Sequence, residues 1–252
     1  MKKIIIISSI FCSIFITITI LFYLFSLSPH IEKIDFLKKG YYLINSADDV
    51  VTYKYIKYRP SNWTKPSISN KALRAIIISE DWDYFNHSGV DYEQIKKALE
   101  DKIILNKKWR GASTITQQLV KNLFLSPQKT IIRKIKEAIL ALYMNHRLSK
   151  MRILELYINI IQYGDNLYGV SNASNYYFNK DFNKLSPKEG AFLAMLLPNP
   201  KKYSHSFQIK KLTPYAEKTI NSILMKLLTI KVISEDELLL AQWQTFNWEI
   251  NE

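Results

Sequence analysis

The stretch Gly111-Ala112-Ser113-Thr114-Ile115-Thr116-Gln117-Gln118-Leu119-Val120-Lys121-Asn122 gathers hydroxyl and amide side chains beside one lysine. Hydroxyls and amides both donate and accept hydrogen bonds, which suits them to sugar hydroxyls and phosphate oxygens. Ser113 or Thr114 can equally cap a helix that follows. In such a helix Thr114, Gln117, Gln118 and Lys121 fall at i, i+3, i+4 and i+7 and share one face, which either lines a cleft or meets water. The same helical pattern extends outward on both sides. Asn70 can cap a helix through Leu73, Ile76 and Ile77, and Asp91 another through Ile95, Leu99 and Ile103. Pro127 suits the first turn of a long helix to Leu148, and Ser149 can cap the next. Ser186-Pro187-Lys188-Glu189 joins a capping box to a proline at the first helical position. Thr213-Pro214 and Ser234-Glu235-Asp236-Glu237 are two more starts. With six glycines, few alternating stretches and no repeat of 20–50 residues, the chain reads as mainly α, with any strands short.

Two further segments carry chemistry. Ser79-Glu80-Asp81-Trp82-Asp83-Tyr84-Phe85-Asn86-His87-Ser88-Gly89 ends an apolar helical run with acids, aromatics, a histidine and a glycine. Glu80 and Asp81 there face the negative end of the helix dipole, a cost that a functional site can justify and that a solvated helix exit would also tolerate. In Arg133-Lys134-Ile135-Lys136-Glu137, Arg133 and Glu137 stand four apart, the spacing of an intrahelical ion pair. Spacing alone makes that pair an exposed, weak one on a solvated face.

Lys+Arg 35 against Asp+Glu 22 gives a formal charge of +13 over 252 residues, which favours phospholipid headgroups, nucleic acid or a pyrophosphate-bearing substrate as partners. Residues Ile4 to Leu27 carry no charge and follow Lys2 and Lys3. About 20 apolar residues suffice to cross a bilayer, and the flanking lysines place the N-terminus in the cytoplasm and the rest outside. A cleaved signal peptide has a shorter apolar region, and its cut after Ser28 would fall just before Pro29. The expected layout is therefore an anchor over 1–28, a juxtamembrane stalk without clear period over 29–62, and one domain over 63–252. The single cysteine, Cys12, excludes a disulfide framework and a cysteine metal site. The four histidines lack zinc-ligand spacing. Ser126-Pro127-Gln128-Lys129 has the Ser-x-x-Lys spacing of penicillin-binding transpeptidases, but no Ser-Asp-Asn or Lys-Thr-Gly partner exists.

Taken together, Glu80-Asp81 with His87 and Gly89, the string Gly111 to Gln118, Arg133-Lys134 with Glu137, and Lys150-Met151-Arg152-Ile153-Leu154-Glu155-Leu156-Tyr157-Ile158-Asn159 resemble, in order, the motifs of the family 51 peptidoglycan glycosyltransferases. The similarity runs from about Trp63 to Pro200. It implies a helical, lysozyme-like domain that joins disaccharide units of lipid II into β-1,4-linked glycan and releases undecaprenyl pyrophosphate. Glu80 matches the family's general base. Glu137 matches its second carboxylate, which acts at the donor's pyrophosphate and leaves room for a divalent cation, Mg or Mn; no organic cofactor is implied. Ser113, Thr114, Gln117, Gln118, Lys121, Lys129, Arg133 and Lys134 match substrate-binding positions, and Asp81, His87 and Asn159 supporting ones. The family's inhibitor moenomycin, which resembles the donor, is expected to bind. Tyr84 stands where the family usually has phenylalanine and Lys129 where arginine is common. Tyr215-Ala216-Glu217-Lys218 matches the arginine-rich last motif poorly.

Implied partners are lipid II, a lipid-linked glycan strand, membrane phospholipid and other wall-synthesis proteins. Leu197-Pro198-Asn199-Pro200 looks more like Gram-negative members, placing the domain on the periplasmic side of an inner membrane. A lytic enzyme of lysozyme-like fold is the enzymatic alternative, since a carboxylate in a sugar cleft can also act as an acid. A catalytically weak membrane scaffold of wall synthesis is the other. An outward-facing domain excludes nucleic acid as a partner.

Overall fold

The computed structural model describes residues 13, 27–47, 50–104, 111 and 113–250. The apolar run Ile4–Leu27, expected to cross the membrane, lies outside these residues except for Ser13 and Leu27. Among the described residues no helix is long and apolar enough to cross a membrane.

The domain is mainly helical. Helix α1 (Ser28–Phe36) precedes an antiparallel hairpin, β1 (Tyr41–Ala47) on β2 (Val50–Ile56). Then come α2 (Lys71–Glu80), α3 (Tyr92–Ile103), α4 (Ile115–Phe124), α5 (Ile131–Arg147) and α6 (Lys150–Ile160). A small bulged ribbon, β3 (Gln162–Gly164) with β4 (Leu167–Tyr168), leads to α7 (Val170–Phe178) and α8 (Pro187–Leu196). Short helices α9 (Pro200–Tyr203) and α10 (His205–Gln208) precede α11 (Pro214–Thr229) and α12 (Glu235–Trp243).

The expected caps form. Asn70, Asp91, Ser149 and Thr213 each accept the backbone N–H of the third residue on, and Ser186 and Ser234 close full capping boxes with Glu189 and Glu237. One start differs. The long helix begins at Ile131, capped by Thr130, and not at Pro127. Thr130 supplies a side-chain acceptor for the Arg133 N–H, whereas proline only tolerates a first turn.

The stretch 29–62 also differs from a stalk without period. Its helix and hairpin pack on the domain, with Leu27, Ile34, Leu37 and Tyr42 buried in the common core. Arg152 of α6 donates to the carbonyls of Leu37 and Gly40, and Arg147 of α5 to Asp35. Tyrosines at adjacent positions of β1, Tyr41 and Tyr42, fall on both faces of the hairpin and mask the period-2 contrast that identifies a strand.

Helices α2, α6 and α8 are the most deeply buried. Helix α8 lies so close on α2 that a Cβ at Gly190 would stand 2.2 Å from the Ala72 Cα. That contact fixes the start of α2, the helix whose last residue is Glu80.

Candidate active site

Glu80 is the last residue of α2 and lies half-buried in a cleft of about 310 Å³. Asp81, Ser113 and Thr114 share its walls. So do Asp91, Lys97 and Asp101 around α3, and Lys226 of α11. Gln118 of α4 donates from Nε2 to Glu80 Oε2 at 2.8 Å, and its Oε1 accepts from the Tyr157 hydroxyl at 3.0 Å. Burial pushes the Glu80 carboxyl above its usual range and Asp81 adds to this, while the Gln118 hydrogen bond and the cations Lys121 and Lys226 oppose it. A carboxylate raised this way is poised to take a proton nearer neutral pH.

Asp81 has a different task. It is buried, accepts the Ile115 N–H at 2.9 Å, and faces His87 Nε2 at 2.9 Å. His87 Nδ1 accepts the Gly89 N–H, so the ring proton sits on Nε2 and is donated to Asp81. Thr114 completes the tie, donating to the Gly89 carbonyl at 2.6 Å while it caps α4. Gly89 has φ +96°, and a Cβ there would meet the Ala141 carbonyl of α5 at 2.5 Å. Asp81, His87, Gly89 and Thr114 therefore lock the loop after α2 to the start of α4 and to α5.

Glu137, one turn before Ala141 on α5, is 2% exposed. Arg133 reaches one of its oxygens at 2.7 Å and Lys134 the other, and Lys134 also donates to Ser113 Oγ at 2.7 Å. The exposed pair read from the spacing is thus a buried carboxylate held by two cations, because α5 turns this face toward the cleft. Lys121 belongs to the same cluster. Burial and the neighbouring Arg133 and Lys134 hold its ammonium below the usual lysine range, against the pull of Glu137 and Glu80.

Not every matched residue faces the cleft. Gln117 is buried and gives its Oε1 to the Thr114 N–H in the capping box. Asn159 lies across α6, clamping the N–H and carbonyl of Thr64 at 2.7 Å each. Lys129 is exposed ahead of α5, with no hydrogen bond or ion pair among the described residues. A divalent cation does not fit Glu137 as arranged, since both its oxygens already meet positive charges. Among the described residues no cluster of three metal ligands forms.

Two residues escaped the reading of the sequence, and a third finds its reason in the structure. Lys226 is a lone cation in an otherwise apolar turn of α11, a pattern indistinguishable from an ordinary surface lysine. Tyr157 looks like one more apolar position of α6. Tyr84 spends its hydroxyl on the Lys150 carbonyl at 2.6 Å, which accounts for tyrosine in place of phenylalanine.

The transglycosylase family model matches residues 49–227. The chain belongs to the transglycosylase family. Among curated relatives, a biosynthetic peptidoglycan transglycosylase of Acinetobacter baylyi is 46% identical over 149 residues, covering 57% of this chain and 66% of the relative. One of Nitrosomonas eutropha is 39% identical over 165 residues, covering 66% of each. One of Shewanella amazonensis is 49% identical over 129 residues, covering 51% of this chain and 52% of the relative. The chain thus spans between about half and two thirds of the length of these relatives. Within the transglycosylase region fall every carboxylate and cation of the cleft described above.

Proposed function

We propose that this chain is a peptidoglycan glycosyltransferase that polymerises lipid II into β-1,4-linked glycan strands. The observation that supports this best is the surplus of cations at Glu137: Lys121, Arg133 and Lys134 gather around one carboxylate. A pyrophosphate leaving group supplies the negative charge this cluster lacks, and preorganised cations stabilise charge that develops there in the transition state. A hydrolase of finished glycan has no such group to receive.

In the proposed step Glu80 takes the proton of the acceptor's GlcNAc 4-hydroxyl. That oxygen attacks the anomeric carbon of the growing chain, forming the new glycosidic bond from the opposite face. The bond from this carbon to the phosphate oxygen breaks, and its electron pair leaves with undecaprenyl pyrophosphate. Gln118 orients Glu80, Ser113 and Lys134 form the rim between the two carboxylates, and Lys226 offers a further cation on the acceptor wall.

The run Ile4–Leu27 serves in this reading as a single membrane anchor with the N-terminus cytoplasmic and the domain on the periplasmic side, where the lipid-linked substrate lies. The positive balance then complements both phosphates and anionic headgroups. The test is incubation with labelled lipid II followed by lysozyme digestion of the product. Polymer that lysozyme cuts to disaccharide units is the expected result. Absence of polymer, with release of sugar from finished wall instead, would establish the lytic reading.

A further inference from the structure

Two tyrosines lie against the Glu80 site with no exposure at all, Tyr157 of α6 and Tyr163 of β3. Their hydroxyls differ. Tyr157 donates to Gln118 Oε1 at 3.0 Å, while the Tyr163 hydroxyl is buried with no hydrogen-bond partner. We infer that Tyr157 is a positioning residue for the proposed reaction: its hydroxyl fixes the orientation of the Gln118 amide, so that Glu80 always meets an N–H and never a carbonyl.

The argument rests on donor and acceptor inventory. An ionised carboxylate only accepts, so Gln118 must present Nε2 to it. The amide has two ends, and a half-turn would set Oε1 against Glu80 instead. That flipped state suits a protonated Glu80, whose O–H can donate to Oε1, and so favours the form that cannot act as a base. With Oε1 held by a buried hydroxyl, the flip turns an N–H₂ group toward Tyr157; the phenol oxygen can accept from it, but the phenol's own proton is then left without the acceptor it has in Gln118 Oε1, a cost where water is absent. The other groups that bear on Glu80 are Asp81 at its own helix end, Lys121 of α4, Lys226 of α11 and the Tyr163 phenol. None of them touches the Gln118 amide. Tyr157 therefore acts through Gln118 and not on substrate.

This inference rests on Glu80 being the base of the proposed reaction, but it can be read without turnover. In the full chain, the Glu80 carboxyl is titrated by ¹³C NMR in wild type, Tyr157→Phe and Tyr163→Phe, and the acid limb of kcat/KM is recorded on lipid II for the same proteins. Loss of a hydrogen bond to the charged form raises a carboxyl pKa. Tyr157→Phe is expected to move both midpoints up by roughly one pH unit, and Tyr163→Phe to leave them in place. An unmoved midpoint in folded Tyr157→Phe, or equal movement in both variants, overturns the inference. If Tyr157→Phe does not fold, 3-fluorotyrosine at position 157 decides the matter. It keeps ring and hydroxyl but donates more strongly, so the midpoint should fall, and an unmoved midpoint overturns the inference. A wild type that makes no polymer, yet shows the Glu80 shift, would remove the proposed function and leave the positioning role standing.

Discussion

Glu80 and Glu137 are both acids beside one cleft, but their partners differ: Glu80 meets the Gln118 amide, Glu137 the cations Arg133 and Lys134. Burial raises Glu80, so the folded protein binds a proton there more tightly than the unfolded chain does. The sign of the linkage follows: stability from this group is greatest below the unfolded glutamate pKa and is lost as pH rises toward the folded value. Glu80→Gln should thus melt higher than wild type at neutral pH, while polymerisation falls by about 10²–10⁴-fold. Calorimetry across pH, beside a lipid II assay, checks both parts, and a lower melting temperature would deny the strain assigned to Glu80. Polymerisation by wild type should likewise decline on acidification at a pH above the ordinary glutamate range. Glu137 is held by ion pairs to Arg133 and Lys134. Arg133→Ala leaves a buried carboxylate with one cation, so the loss should approach the low end of the about 3–5 kcal/mol typical of a broken buried pair. An exposed pair would give only about 0–1 kcal/mol. Thermal melting separates the two, and the larger loss is expected together with weaker moenomycin binding.

At the scale of elements, α8 meets α2 almost backbone to backbone near the start of the helix that ends in Glu80. Gly190 of α8 meets Ala72 of α2, with its would-be Cβ 2.2 Å from Cα and 2.9 Å from the carbonyl oxygen. On a solvated helix, Gly→Ala would stabilise by about 1 kcal/mol through helix propensity. Here the methyl must push α2 away from α8, and overpacking of this kind costs about 1–3 kcal/mol or more. Gly190→Ala is therefore expected to lower the melting temperature and, because α2 ends in Glu80, to reduce polymerisation as well. A melting temperature at or above wild type would show that the two helices separate freely. The contrast between caps and clefts shows what a sequence discloses. Asn70, Asp91, Ser149, Ser186, Thr213 and Ser234 were legible as caps because a cap depends on three or four neighbouring residues. Glu80-Asp81 and the Gly111–Gln118 string stood out through their unusual mixture of side chains. The burial of Glu137 did not, since an i,i+4 pair has the same spacing in water and in a core. Nor did the partnership of Tyr157, Gln118 and Glu80, which joins three helices distant in sequence.

Across the whole molecule, the question is where the folded body begins. Leu27 is buried and Ser28 already starts α1, so the core takes in residues from Leu27 onward. Ile34, Leu37 and Tyr42 complete the core from the same side. Arg152, whose guanidinium lies 4.8 Å from the Tyr41 ring, gives its N–H groups to the Leu37 and Gly40 carbonyls. Two truncations therefore have different outcomes. Removing residues 1–26 leaves Leu27, Ile34, Leu37 and Tyr42 in place, so the remaining chain should melt cooperatively near the wild-type temperature and polymerise lipid II in detergent. Removing residues 1–62 exposes the surfaces that covered Leu27, Ile34, Leu37 and Tyr42 and orphans the donors of Arg152. Each fully buried aliphatic side chain contributes about 1.5–3 kcal/mol, so losing several exceeds the about 5–15 kcal/mol margin of a typical domain or consumes most of it. The shorter protein should be unfolded or nearly so at 37 °C. Circular dichroism melts of both truncations check this, and equal melting temperatures would mean that α1 and the hairpin are a detachable stalk, with the catalytic body complete from Trp63 onward.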